Sequence, residues 1–198
     1  MGTVILGTGS CLPEKKLTNN DLEKIVETSD EWISSRTGIK ERRIAGQGEE
    51  AYILASHAAE KALEQSELCA EQIDLIIVAT ISSHMLMPSC GCFVQQELGA
   101  SKAFAFDINA ACSGFLYALD VADQYIRSDN SKKILVIGTE TLSARVDWSD
   151  RNTCILFGDG AGAAVVGWDD SERGVVRSEL LSDGNLWNLL YMHNAQSN

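Results

Sequence analysis

The sequence predicts an α/β protein, a single layered unit of βαβ elements around a largely parallel sheet. Short β-rich apolar runs alternate with amphipathic helical patterns along most of the 198 residues. The runs at 74–80 and 133–138 are apolar almost throughout, as strands covered on both faces must be. Composition agrees with a packed core: 45% hydrophobic and 22% charged residues, 16 glycines and two prolines exclude collagen-like, low-complexity and disordered chains.

The elements follow in order. A first strand is expected at 3–7 and an amphipathic helix at 20–27. Thr28-Ser29-Asp30-Glu31 is a capping-box pattern that opens a short helix for Gly38 to close. A long helix at 50–65 precedes the central strand at 74–80, and Pro88-Ser89 opens a helix over 89–98 that stops at Gly99. A strand at 103–108 runs into a helix at 114–128, and further strands are expected at 133–138, 161–168 and 174–181. From His193 the chain ends in a polar segment that reads as a loop.

Sixteen basic against 28 acidic residues leave a net charge of −12, which opposes binding to phosphate backbones, and no Lys/Arg run is present. No nucleic-acid partner is expected. The N-terminus shows neither a secretory pattern nor a Ser or Thr at position 6 for myristoylation, and no apolar stretch is long enough to span a membrane. A cytoplasmic location away from membranes is the expectation. The six cysteines match no disulfide scaffold and are read as reduced thiols. Cys90-Gly91-Cys92 lacks a second pair or a nearby His, so no metal is expected.

Cys112 has the best claim to chemistry. The segment 107–115 joins an apolar strand to an amphipathic helix through small residues, which places Cys112 at a strand-to-helix elbow. The backbone N–H groups and dipole of a helix N-terminus favour a nucleophilic thiolate and an oxyanion at an attacked thioester carbonyl. The alternative is a cysteine that merely fills the core; the other five read as structural. His57, His84 and His193 offer no convincing general base. Trp32, Arg36, Lys40, Arg42 and Arg43 gather a ring and four cations, suited either to a phosphorylated ligand with a planar base or to a solvated basic face. The glycines of 157–163 precede a strand and read as serving a tight turn.

Several segments in this order resemble the β-ketoacyl-[acyl carrier protein] synthase III family of the thiolase-like superfamily, from residue 3 to about 190. They are Gly7-Thr8-Gly9-Ser10 with Leu12-Pro13, 28–33 followed by Arg36-Thr37-Gly38-Ile39, 110–115, Ser149-Asp150-Arg151 and 157–163. The resemblance implies a thiolase-like α-β-α-β-α layered fold of which residues 1–170 form the N-terminal half and 171–198 the start of the C-terminal half. It implies that Cys112 accepts an acetyl or short acyl group from acyl-coenzyme A. The acyl-enzyme then condenses with malonyl-acyl carrier protein to acetoacetyl-acyl carrier protein in a homodimer that needs no cofactor. Trp32 would stack on the adenine, Arg36 and Arg151 would lie by the ring and phosphates, and Thr28 and Phe157 would line the coenzyme A channel. Met87 matches the residue that forms the floor of the partner's acyl pocket, where a flexible side chain would admit longer primers than a ring would.

The His and Asn that the family uses for decarboxylation have no counterpart here, since neither His-Gln-Ala-Asn nor Gly-Asn-Thr-Ser occurs. The expectation is therefore a piece of a longer enzyme, ending in the loop 192–198, that does not complete the condensation alone. The alternative is a non-catalytic acyl-coenzyme A-binding module or an inert dimerising fragment.

Overall fold

A computed structural model describes residues 2–171 and 173–193. Five strands, β1 (Gly2–Cys11), β4 (Leu75–Ala79), β5 (Phe104–Ile108), β6 (Lys133–Thr141) and β7 (Asp159–Asp169), form one sheet in the order β1-β7-β6-β4-β5. β5, β4 and β6 pair in parallel, whereas β7 is antiparallel to both β6 and β1. The expected largely parallel sheet is thus mixed. Between β6 and β7 the chain forms a single 3-10 turn, Leu142–Ala144, and no crossover helix of the kind that usually joins parallel strands, and it returns antiparallel.

The helices lie on both faces. α3 (Ala51–Ser66) and α4 (Cys90–Leu98) bury one side of the sheet around Ile76, Val78, Leu135 and Val165. α5 (Gly114–Ser128) buries the other around Ile77, Val136 and Val166. Every residue of β4 is buried between them, which accounts for its unbroken apolar run. A satellite core of Leu22, Ile33, Cys154 and Ile155 lies under α1 (Asn19–Leu22), α2 (Asp30–Thr37) and the hairpin of β2 (Lys16–Thr18) with β3 (Glu41–Arg43). No helix among the described residues is long and apolar enough to cross a membrane.

α3 presents a row of alanines, Ala51, Ala55, Ala58, Ala59 and Ala62, and comes very close to β1. A Cβ on Gly7 would lie 2.4 Å from the Ala62 carbonyl oxygen, and one on Gly9 only 2.1 Å from that of Ala58. Glycine is required at both positions.

Several sequence expectations shift. The helix expected at 20–27 shrinks to α1, capped by a reciprocal box between Thr18 and Asp21. Ser29 rather than Thr28 caps α2, accepting from the Trp32 N–H at 3.1 Å, and Gly38 closes it in the left-handed region as expected. Gly160 and Gly162 sit inside β7, not in a turn; a Cβ on Gly160 would press to 2.7 Å from Leu12. The run 174–181 is not a strand: Val175 donates to the Thr3 carbonyl at 2.8 Å, and the remainder is irregular and largely exposed. The tail at 194–198 lies outside the described residues, and a lone 3-10 helix, Gly184–Leu189, stands where the second half was expected to begin.

Because the α3 backbone leaves no space at Gly9, Gly9→Ala is expected to cost about 1–3 kcal/mol of stability through forced separation of helix and sheet. Urea unfolding followed by far-ultraviolet circular dichroism measures it; an unchanged midpoint would show that the contact is not that tight.

Candidate active site

Three connections leave the C-terminal ends of the parallel strands β4, β5 and β6, the edge at which α/β sheets collect their ligand sites. They are the loop 80–89, the elbow 109–113 and the segment 142–158.

Cys112 occupies the elbow. The 3-10 turn Ala111–Ser113 joins β5 to α5, with Ala111 held at φ 44°, a conformation that a side chain opposes. Gly114 opens α5 where a Cβ would come within 3.0 Å of the Ala79 Cβ, and the Thr80 N–H donates to the Ile108 carbonyl at 3.2 Å. Strand, turn and helix are therefore locked to the end of β4, and the Cys112 side chain faces solvent. A core-filling role does not fit that exposure. The N–H groups of Ser113 and Gly114 donate to the Ala110 and Ala111 carbonyls, so the turn itself uses two of the donors expected to face an oxyanion.

The remaining cysteines differ. Cys90 and Cys154 are buried, Cys11 and Cys92 partly so, and Cys69 is exposed in a polar turn, where its N–H and thiol both donate to the Gln72 side chain at 2.9 and 3.2 Å. Burial first, then the nearby Asp107 and Glu140 carboxylates, push the Cys90 thiol up to about 12, and burial also raises Cys11 and Cys154.

Trp32 and Arg36 stand one helical turn apart on α2, and Arg151 reaches over from the segment after β6. Each guanidinium carbon lies 4.4 Å from the Trp32 ring centroid, within cation–π range. Arg151 also donates to the Glu27 carbonyl at 3.1 Å. Beside it the Thr28 hydroxyl oxygen is buried and meets no hydrogen-bond partner among the described residues. Phe157 is half-buried just before Gly158, whose Cβ position lies 2.8 Å from the Arg42 Cβ.

The basic cluster expected at 32–43 does not act as one. Arg42 is buried and donates to the Ile155 carbonyl at 2.6 Å and the Asn19 side chain at 2.7 Å, with its pKa lowered by burial. Arg43 bonds the Pro13 carbonyl and pairs with Glu41, and Lys40 bonds Ser34. Arg36 alone of the four cations reaches the ring.

Met87 is 84% exposed, at the tip of the loop 80–89 with Met85 and Leu86. The histidines have other neighbours: His57 Nδ1 is 3.9 Å from Cys11 Sγ, His84 packs between Tyr52 and Phe93, and His193 packs on Tyr191. Two carboxylates escaped notice in the sequence. Asp107 accepts from the N–H groups of Cys90 and Gly91 at 2.7 and 2.8 Å, and Glu140 accepts from Ile81 at 3.0 Å and from the Ser82 hydroxyl. The available signal was a lone carboxylate at the end of an otherwise apolar strand.

Residues 106–184 match the model of 3-oxoacyl-[acyl-carrier-protein] synthase III. The β-ketoacyl-[acyl-carrier-protein] synthase III of Desulfotalea psychrophila is 62% identical over the full chain, and that of Aquifex aeolicus 53% over 98% of it. The chain covers 61% and 62% of these relatives, so it spans about three fifths of their length. The crystal structure of the Aquifex aeolicus enzyme superposes with a TM-score of 0.91 over 93% of this chain and 60% of that one, at 54% identity. The Pseudomonas aeruginosa enzyme superposes with 0.92 over 99% and 62%, at 38% identity.

Exposure and burial sort the thiols. Brief alkylation of the folded chain at mildly alkaline pH, mapped by peptide mass spectrometry, is expected to label Cys112 and Cys69 and to spare Cys90 and Cys154. Labelling of Cys90 as fast as Cys112 would contradict the packing of α4.

Proposed function

The chain is a homologue of β-ketoacyl-[acyl-carrier-protein] synthase III with the thiolase-like fold, and on that premise we propose that its Cys112 accepts an acyl group from acyl-coenzyme A. The observation that carries the reading is the exposed Cys112 in a strained elbow at the C-terminal edge of the parallel strands, the edge from which the loop bearing Met87 and the segment bearing Arg151 also leave.

In the proposed step the Cys112 sulfur attacks the thioester carbonyl carbon. A new carbon–sulfur bond forms to Cys112, the bond to the coenzyme A sulfur breaks, and the proton of the Cys112 thiol leaves on the coenzyme A thiol. One thioester replaces another, so the step needs an activated sulfur and a polarised carbonyl more than a driving force. The small residues Ala110, Ala111 and Gly114 leave the approach to Cys112 open.

The adenine is proposed to stack on Trp32. Both guanidinium groups already lie over that ring, so a planar base enters by displacing one of them, and the displaced cation is then free to meet a phosphate. Thr28, with its unmet hydroxyl, and Phe157 complete the proposed channel. Condensation with malonyl-acyl carrier protein, the homodimer and the place of the reaction at the start of fatty acid synthesis are proposed for the longer enzyme. This chain's own residues are proposed to serve the acyl-transfer half. No organic cofactor is proposed, because thioester exchange moves only an acyl group and a proton.

Intact-mass spectrometry after incubation with acetyl-coenzyme A is expected to show the chain one acetyl group heavier, and Cys112→Ala to remain unmodified. An unmodified wild-type chain would favour a non-catalytic binding role. Trp32→Ala is expected to weaken coenzyme A binding about fivefold to thirtyfold by calorimetry, equivalent to about 1–2 kcal/mol of lost stacking. Unchanged affinity would place the adenine elsewhere. With Met at position 87, butyryl- and isobutyryl-coenzyme A are expected to acylate Cys112 alongside acetyl-coenzyme A; reaction with acetyl alone would remove Met87 as the cause of a wider pocket.

A further inference from the structure

We infer that Asp107 and Glu140 are positioning residues that clamp the two ends of the loop 80–89 against the Cys112 elbow. The inference rests on the acyl-transfer reading of Cys112 and goes beyond it, because it names the residues that set the wall of that site.

The clamp follows from the strand order. β4 lies between β5 and β6, and the loop 80–89 leaves its C-terminal end. From β5, the Asp107 carboxylate accepts one bond on each oxygen, from the Cys90 N–H at 2.7 Å and the Gly91 N–H at 2.8 Å, and so holds the loop's far end where it enters α4. From β6, Glu140 accepts from the Ile81 N–H at 3.0 Å and from the Ser82 hydroxyl, and holds the near end. Ser82 Oγ in turn accepts from the Thr141 N–H at 2.7 Å, and its carbonyl accepts from the Thr141 hydroxyl at 3.3 Å. Between the clamps, Arg145 donates to the Ser83 carbonyl at 3.2 Å, and the His84 ring lies 4.6 Å from Tyr52 and 4.5 Å from Phe93.

Within the loop only the stretch Met85 to Pro88 is left exposed. The bonds run to charged acceptors, which makes them shorter and stronger than neutral ones. Glu140 is itself mostly buried, and burial raises its pKa against the opposing pull of its bonds to Ser82, Ile81 and Thr80.

Asp107 lies on the strand that runs directly into the elbow, and the base of the loop is joined to the elbow's flanks: the Thr80 N–H donates to the carbonyl of Ile108, the last residue of β5, and Ala79, the last residue of β4, leaves no room for a side chain on Gly114, the first residue of α5. A shift of the loop is therefore a shift of the wall next to the thiol. Loss of either carboxylate loosens the loop without removing any group from the reacting atoms. The effect belongs to the rate of acyl transfer and to discrimination by acyl length, and not to the affinity for the coenzyme A portion, which the Trp32 side is proposed to supply.

The test uses the full chain and two near-isosteric variants, Asp107→Asn and Glu140→Gln, which act at opposite ends of the loop. Amide hydrogen exchange is expected to speed up about tenfold in 81–83 for Glu140→Gln and in 90–92 for Asp107→Asn, with the strands β1 and β7 unchanged. In the same variants the rate constant for acetylation of Cys112 is expected to fall about tenfold with the half-saturating acetyl-coenzyme A concentration within about twofold, and the preference for acetyl over butyryl to flatten. Unchanged exchange in the loop, or a rise spread evenly over the sheet, overturns the clamp. Faster loop exchange with wild-type rate and preference overturns its role at the site. If the wild-type chain itself is not acylated, the acyl-transfer reading fails while the exchange data still decide whether the two carboxylates hold the loop.

Discussion

The structure turns on the contact between Gly114 and the end of β4. A methyl group on Gly114 would meet the Ala79 Cβ at 3.0 Å, tighter than an ordinary van der Waals contact, so α5 starts pressed against the sheet. The chain bridges the short gap from Ile108 to Gly114 only by driving Ala111 to φ 44°, at a cost of about 1–2 kcal/mol. That strain is maintained by cores on both sides of the sheet and turns Cys112 outward. A bulkier residue at Gly114 would relieve nothing and would push the thiol away from its neighbours.

The parallel arrangement of β5, β4 and β6 does the rest of the assembly. Parallel strands end at the same edge, so the elbow, the loop 80–89 and the long segment bearing Arg151 all leave the sheet on one side. In a chain with a net charge of −12, Arg36 and Arg151 over one indole ring form a local exception. Two cations beside one ring repel each other, and an anionic ligand relieves that repulsion. Arg42 instead holds the hairpin to the satellite core at Ile155 and Asn19, and Arg43 bonds the Pro13 carbonyl.

Much of this was legible in the sequence. The helix at 114–128 matches its observed bounds, and those at 50–65 and 89–98 shift by a single residue, because periodicity is a local signal, joined at 89–98 by the Ser89 and Gly99 caps. The elbow was legible from the run of small residues between an apolar strand and a helix. The antiparallel return of β7 was not, since strand direction depends on a connection whose lack of a helix is only weakly written in 142–158. Gly160 and Gly162 read as turn residues because glycine signals both turns and close packing, and only tertiary contacts tell which. The same limit hid Asp107 and Glu140: a carboxylate at the end of an apolar strand looks solvated until its backbone partners, from residues distant in sequence, are in place.

The central claim is that the residues of this chain equip Cys112 for reversible acyl transfer. It is tested most directly by isotope exchange: unlabelled acetyl-coenzyme A is mixed with labelled coenzyme A and the chain, with no malonyl-acyl carrier protein. Label is expected to pass into the acetyl-coenzyme A pool, and Cys112→Ala to abolish the exchange. Absence of exchange in a folded wild-type chain that binds coenzyme A would contradict it.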